Sequence, residues 1–427
     1  MNRLPSCLTY VESSAIVKTP LRLVAVWVAV LGSLRGTESV HKFEVRVGPT
    51  IQYAHDDIWY HTPPETGPEF ALTDKVVRHQ QAYFLVTMVG PAVDVEGYSE
   101  VSYDLTIRRP DGTVSVEKKD LTAIPRGKVS PGYVNKAQAY IGFTADDSDP
   151  LGKYTVHLVA HDLVSGGQAE WETALTVVTL EELGGPPENF DPIWWLTNYY
   201  RRPEPHLALP ALMALSHDPA SRRVPNRQGP LLGFYEQVLA ENPWLAPQFK
   251  QRFATTTDDD ERRLLAQVLA YVYRDDAGFA RDLPEPARQA FAAVPHDKLP
   301  LPSTEPMDGG QLDVYWGRFL ASGRFQPIRD LVTVVQNYLP YKGQLEAYKN
   351  LKKKPQPPPP EVYKDVILGT ALWSLGSNAY QHELVRNYLL YLLQAKDTPP
   401  EVKPALKAAL SWKPKEQQPG QQAAPST

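Results

Sequence analysis

The chain has 427 residues, 42% of them hydrophobic and 22% charged, which excludes wholesale disorder and supplies apolar mass for two or three cores. Its net charge is −5, and its 44 Lys and Arg are interspersed with 49 Asp and Glu, so no phosphate-tracking surface is marked and nucleic acid is not the expected partner. The single cysteine, Cys7, excludes an internal disulfide framework, and 41 prolines falling largely between apolar segments imply domains rich in turns.

In chain order, the first feature is an apolar run, Leu23 to Leu31, preceded by Lys18 and Arg22 and followed by Gly32, Ser33, Gly36, Thr37 and Ser39. Charge, apolar stretch, then small residues is the order of a secretory signal. The run is too short to span a bilayer core, which takes roughly 20 helical residues. Residues 1–39 are therefore expected to be a signal peptide, with Val17 as an alternative true start. Small residues permit processing after Ser39, with Thr37 at −3, or after Gly32, with Val30 at −3. No cysteine follows, which excludes a lipid anchor there. The expected location is periplasmic or extracellular.

Residues 40–183 alternate with period two. Val101, Tyr103, Leu105 and Ile107 face one way, Pro110-Asp111-Gly112 turns the chain, and Thr113 to Val116 returns. Tyr154, Val156, Leu158 and Ala160 repeat the pattern, followed by Ser165-Gly166-Gly167 and a return over Trp171 to Val178. Phe43 to Val47, Val76 to Val89 and Ala137 to Thr144 are further candidate strands, and no helical stretch is expected among them. About seven strands over this length predict an antiparallel β-sandwich. The stretch Asp149 to Val156, with Asp162 beyond it, resembles the late strands of immunoglobulin-like, fibronectin-like and macroglobulin-type modules of exported proteins. The resemblance implies an immunoglobulin-like fold and no functional residue.

Gly184-Gly185-Pro186-Pro187 opens a linker over 184–192, and the period then changes to that of helices over 193–412. Asp258 and Glu261 have capping-box spacing ahead of the stripe Leu264, Leu265, Val268, Leu269 and Val272. Ile328, Leu331, Val332, Val335 and Leu339 form a second stripe. Ile367, Leu368, Ala371, Leu372 and Leu375 predict a helix stopped by Gly376, with Asn378 and Gln381 capping the next, whose stripe runs from Leu384 to Leu393. Tyr315 to Gly323, followed by a helix from Pro327, resembles a tetratricopeptide helix pair, although no fixed period recurs. The expected fold is therefore multidomain β + α, a sandwich followed by an all-α irregular array of tetratricopeptide-like or bundle-like helices. Residues 352–360 form a proline-rich loop, and 413–427 are an expected disordered tail.

The chemistry-bearing residues are sparse. His157 and His161 lie four apart on one strand, about 13 Å, too far to share a metal. His382-Glu383 opens like a zinc-protease helix, but Arg386 takes the second histidine's place, so His382 is expected to be a surface residue. His55, Asp56, Asp57 and His61 are the candidate metal ligands, in a region read as a loop. Asp146 to Asp149 reads as a polar turn and Asp258 to Asp260 as a helix start. Trp194, Trp195, Tyr199 and Tyr200 form an aromatic cluster that either fills an interdomain joint or offers a binding platform; the joint is preferred. With no nucleophile elbow, phosphate loop or paired Cys-x-x-Cys, no catalytic residue and no cofactor are assigned. The expectation is a non-enzymatic binding, assembly or scaffold protein of the bacterial cell envelope. Its partner would be a protein or another envelope component, with no transmembrane anchor after signal removal. The second reading is an exported hydrolase whose acid and base come from separate helices.

Overall fold

The computed structural model describes residues 42–129, 132–218, 228–276 and 278–414. The expected signal peptide and residues 415–427 of the expected tail lie outside them. The chain is mixed β and α. No helix among the described residues is long and apolar enough to cross a membrane. Contacts divide the chain into two compact units. One takes the chain up to Gln52 with Glu69–Asn226 and Leu239–Glu261, and the other takes Tyr53–Pro68, Arg227–Val238 and Arg262–Thr427.

Among the described residues the first unit holds nine strands: β1 Glu44–Thr50, β2 Lys75–Val77, β3 Ala82–Val89, β4 Tyr98–Arg108, β5 Val114–Lys128, β6 Asn135–Lys136, β7 Ile141–Phe143, β8 Gly152–Asp162 and β9 Gln168–Val178. One sheet is ordered β1-β3-β6 with β7 also on β3; the other runs β2-β9-β8-β4-β5. All pairs are antiparallel except β2 with β9, which is parallel. Alternation decides which side chains go inside: Tyr103, Leu105 and Ile107 of β4 and Tyr154, Val156 and Leu158 of β8 join Val45, Val47, Phe84, Val86 and Met88 in one apolar core. Gly112, at φ 84, supplies the left-handed backbone of the β4–β5 turn. Buried tyrosines need partners for their hydroxyls, and Tyr154 and Tyr103 find them in the carbonyls of Pro150 and Ala139, both at 2.9 Å. The expected strand over Val76 to Val89 is two strands, parted at His79, whose φ is 66.

The expectation of no helix between the strands is corrected. Helix α1, His55–His61, interrupts them and belongs to the second unit. Its two acidic residues lie in the first turn, where carboxylates suit the helix dipole, while its single turn and a half gave little period to read. Downstream come α2 Leu180–Leu183, α3 Pro192–Asn198, α4 Ala208–His217, α5 Gln228–Glu241, α6 Ala246–Thr255, α7 Asp259–Val272, α8 Ala287–Ala292, α9 Gly309–Ser322, α10 Gln326–Tyr338, α11 Gln344–Lys349, α12 Pro360–Gln381, α13 Glu383–Gln394 and α14 Lys403–Leu410.

In the second unit, glycine sets helix spacing. A Cβ at Gly233 of α5 would lie 2.3 Å from the Val314 carbonyl oxygen, and one at Gly317 of α9 would lie 2.1 Å from that of Pro230. The two backbones touch, which only side-chain-free positions permit. Gly376 does not stop a helix as expected. It lies inside α12, covered by Trp412, whose Cβ would be 2.7 Å from a Cβ at that position. Asn378 likewise does not cap: its amide donates to the Ser374 carbonyl within α12, at 2.9 Å. The true break is His382, extended at φ −123 and ψ 108 between α12 and α13. It is buried beside Phe319, which corrects its reading as a surface residue.

Candidate functional site

The aromatic cluster is built from the linker upward. Asp191 accepts hydrogen bonds from the backbone N–H groups of Ile193 (2.9 Å) and Trp194 (3.0 Å), and Pro192 fixes the first turn of α3. Consecutive helical residues lie about 100° apart, and this start sets the phase that buries the second tryptophan and exposes the first. Trp195 is 3% exposed, set edge-on to Tyr199 with centroids 5.1 Å apart and tilted against Phe190 at 6.2 Å. Trp194 is 60% exposed, and neighbouring Ile193 is 37% exposed. Tyr199 and Tyr200 are buried. Gln52, just beyond β1, donates from its amide to the Tyr200 carbonyl at 2.8 Å and accepts from the Ala71 N–H at 2.7 Å, tying the cluster to the strand region of the same unit. Arg201 donates to the Tyr200 hydroxyl at 3.0 Å. Three of the four aromatics are thus packed, and Trp194 alone of the four presents most of its surface to solvent.

The four candidate metal ligands sit on or at the ends of α1, in the second unit. His55 is buried, with Nδ1 3.3 Å from the Asp56 carboxylate. Asp57 is occupied by protein: its carboxylate accepts the Phe325 N–H at 3.1 Å. His61, six residues along from His55, stacks on Phe325 with centroids 3.8 Å apart, meets Tyr391 edge-on at 4.6 Å and shares a 2.9 Å hydrogen bond with the Asp57 carbonyl. Burial pushes the His61 imidazole below its ordinary range, against the opposing influence of Asp57. Among the described residues no group of three or more His, Cys, Asp or Glu side chains is arranged to hold a metal ion. The role of His61 here is to hold α1 against α10 and α13.

His157 and His161 stand on the outer face of β8, each beside its own carboxylate, Glu170 at 3.5 Å and Asp104 at 3.3 Å. Asp146 to Asp149 forms a self-bonded turn, in which the Ser148 hydroxyl and N–H both donate to Asp146. Asp258 accepts the Glu261 N–H at 2.9 Å, as capping spacing requires. The Glu261 side chain does not reach back; it is held by Arg252, by Thr256 at 2.7 Å and by His217 at 3.3 Å.

A polar cluster in the second unit escaped the sequence reading. Glu236 of α5 is clamped by Arg274, 2.9 Å away, and by Arg318 of α9, 2.7 Å away. Asp330 of α10 is held by Gln326 at 2.7 Å and raised above the usual carboxylate range by burial. Tyr315 is pushed up to about 12 by burial and by Asp330. On the same helix, burial, with Asp308 adding to it, pushes the Asp313 carboxyl up to about 7. A carboxylic acid half-protonated at neutral pH has the acidity of a general acid. These residues are spread over nearly a hundred positions, so no local motif betrays them.

No family model and no curated protein matches this chain. Among solved structures, it is similar to a family 123 glycoside hydrolase from Clostridium perfringens that acts on glycolipid glycans, at 7% identity and TM-score 0.21, over 32% of this chain and 27% of that one. It is also similar to Escherichia coli α-2-macroglobulin, at 9% identity and TM-score 0.18, over 79% of this chain and 26% of that one. The chain thus spans about a quarter of the length of each of these two. Overlaps so low carry no argument about fold or activity.

Proposed function

We propose that this chain is an exported binding or assembly protein of the bacterial cell envelope, with an immunoglobulin-like β-sandwich and a tetratricopeptide- or bundle-like helical array. The charged and apolar order around residues 18–39 supports export. The Tyr154 hydroxyl bonded back to Pro150, four residues upstream, supports the immunoglobulin-like reading, because such a tyrosine corner marks that fold. The observation that carries the binding role is Trp194: a large aromatic, 60% exposed, on a capped helix whose next residue is locked in the core. Rigid exposed tryptophans are the side chains that anchor partner surfaces at little entropic cost.

The test is a photo-crosslinking residue at position 194 in the native cell, followed by identification of adducts. A discrete adduct with one envelope component supports the reading; its absence, together with turnover of a glycan, peptide or ester by the purified chain, refutes it. The hydrolase reading is favoured by Asp313 of α9, half-buried, whose carboxyl burial and Asp308 push up to about 7. Under that reading turnover falls as pH rises through 7 and is lost in Asp313→Asn.

A further inference from the structure

Lysine is concentrated in one exposed segment of the chain. Residues 342–354 carry five lysines, Lys342, Lys349, Lys352, Lys353 and Lys354, against one acidic residue, Glu346, in a chain of net charge −5. All five are exposed, and among the described residues none is paired with a carboxylate. The segment is an arm between α10 and α12 whose only helix, α11, buries no residue. Its shape is nevertheless fixed. The Asp365 carboxylate accepts the N–H groups of Gly343 (3.1 Å) and Leu345 (2.8 Å) at one end, and at the other the Tyr348 hydroxyl donates to the Pro355 carbonyl at 2.8 Å. Lys364 adds a cation at its base, 4.4 Å over the Tyr341 ring.

We propose that this arm is a docking surface for an anionic lipid bilayer, holding the protein peripherally to a membrane. Charge complementarity carries the inference: clustered lysines are attracted to a surface of lipid phosphates, each weakly and all together usefully. The form of the cluster favours a lipid surface over a nucleic acid. Every cation in the arm is lysine, a point charge without the planar fork that reads bases or grips single phosphates, and Lys364 already sits 4.4 Å over the Tyr341 ring on which a base would stack. Leu351, 46% exposed in the middle of the lysines, adds an apolar contact at headgroup depth. The inference does not depend on the function of Trp194.

The full chain is to be sedimented with vesicles of phosphatidylcholine alone and of phosphatidylcholine with 30% phosphatidylglycerol, across a salt series, with the triple variant K352Q/K353Q/K354Q alongside. Because the full chain also carries Lys18 and Arg22 beside the apolar run 23–31, the reading is the difference between wild type and the triple variant on anionic vesicles. The arm predicts enrichment on anionic vesicles that salt abolishes. It also predicts a loss of roughly a hundredfold in partition for the triple variant, and retention when the same lysines become arginine. Equal partition on both mixtures, an unchanged triple variant, or tight binding of soluble polyphosphate without enrichment on anionic vesicles overturns the proposal. The arginine variant, which keeps the charge at the same three positions, controls for loss of folding in the glutamine variant: equal loss in both overturns the proposal.

Discussion

The strand region and the helical unit use small residues in opposite ways. In the strands, the glycine of Pro110-Asp111-Gly112 sits at a chain reversal, and along β4 and β8 the side chains alternate so regularly that burial can be read by counting. In the helices, Gly233, Gly317 and Gly376 lie inside elements, where they mark contact with another backbone or with an indole ring. Gly112 therefore ends a strand, whereas Gly233, Gly317 and Gly376 join one element to another. The same letter carries local meaning in one region and tertiary meaning in the other.

The adjoining tryptophans of α3 carry the largest expected difference, since one ring is buried and the other exposed. Trp195→Ala removes a buried ring and should cost about 3 to 5 kcal/mol. Trp194→Ala should leave stability within about 0.5 kcal/mol, as an exposed site does. Equal losses by thermal melting would erase the distinction between them.

Next in size is Gly317→Ala, whose added methyl meets the Pro230 carbonyl and should destabilise by about 3 kcal/mol. A denaturation midpoint indistinguishable from wild type would mean that α5 and α9 do not touch. In the strand region, Tyr154→Phe keeps the buried ring and deletes the bond to Pro150, for a loss of about 1 to 2 kcal/mol in urea. A neutral result would remove the tyrosine corner as an argument for the immunoglobulin-like reading.

The smallest effect is pH-dependent. Burial lowers the His61 pKa in the folded state, so the unfolded chain binds the proton more readily. The stabilising influence of neutral His61 is then full above its ordinary pKa of about 6.5 and declines as pH falls below it. Melting temperature should drop between pH 7 and 5 more steeply in wild type than in His61→Phe, which keeps the stack on Phe325 without titrating. Parallel profiles would show that His61 is not buried as described.

Legibility in the sequence followed the range of the interactions. The hairpins, the stripes over 264–272 and 328–335, and the Asp258 cap are local, and periodicity with turn chemistry reveals them. Helix α1 was hidden because seven residues hold too little period. The continuity of α12 was hidden because what tolerates Gly376 is Trp412, thirty-six residues on. The aromatic cluster was visible as a cluster, yet its division into packed and exposed members depends on the phase that Asp191 gives to α3. The Glu236, Arg274 and Arg318 network, assembled from distant segments, has no signature short of the fold itself.

The proposed role of Trp194 as an anchor for an envelope partner is best probed by crosslinking in the native cell from positions 194 and 195 in parallel. A discrete adduct is expected from 194 and none from 195, whose side chain faces the core. An adduct from 195, or none from 194 in a folded and exported chain, would contradict it.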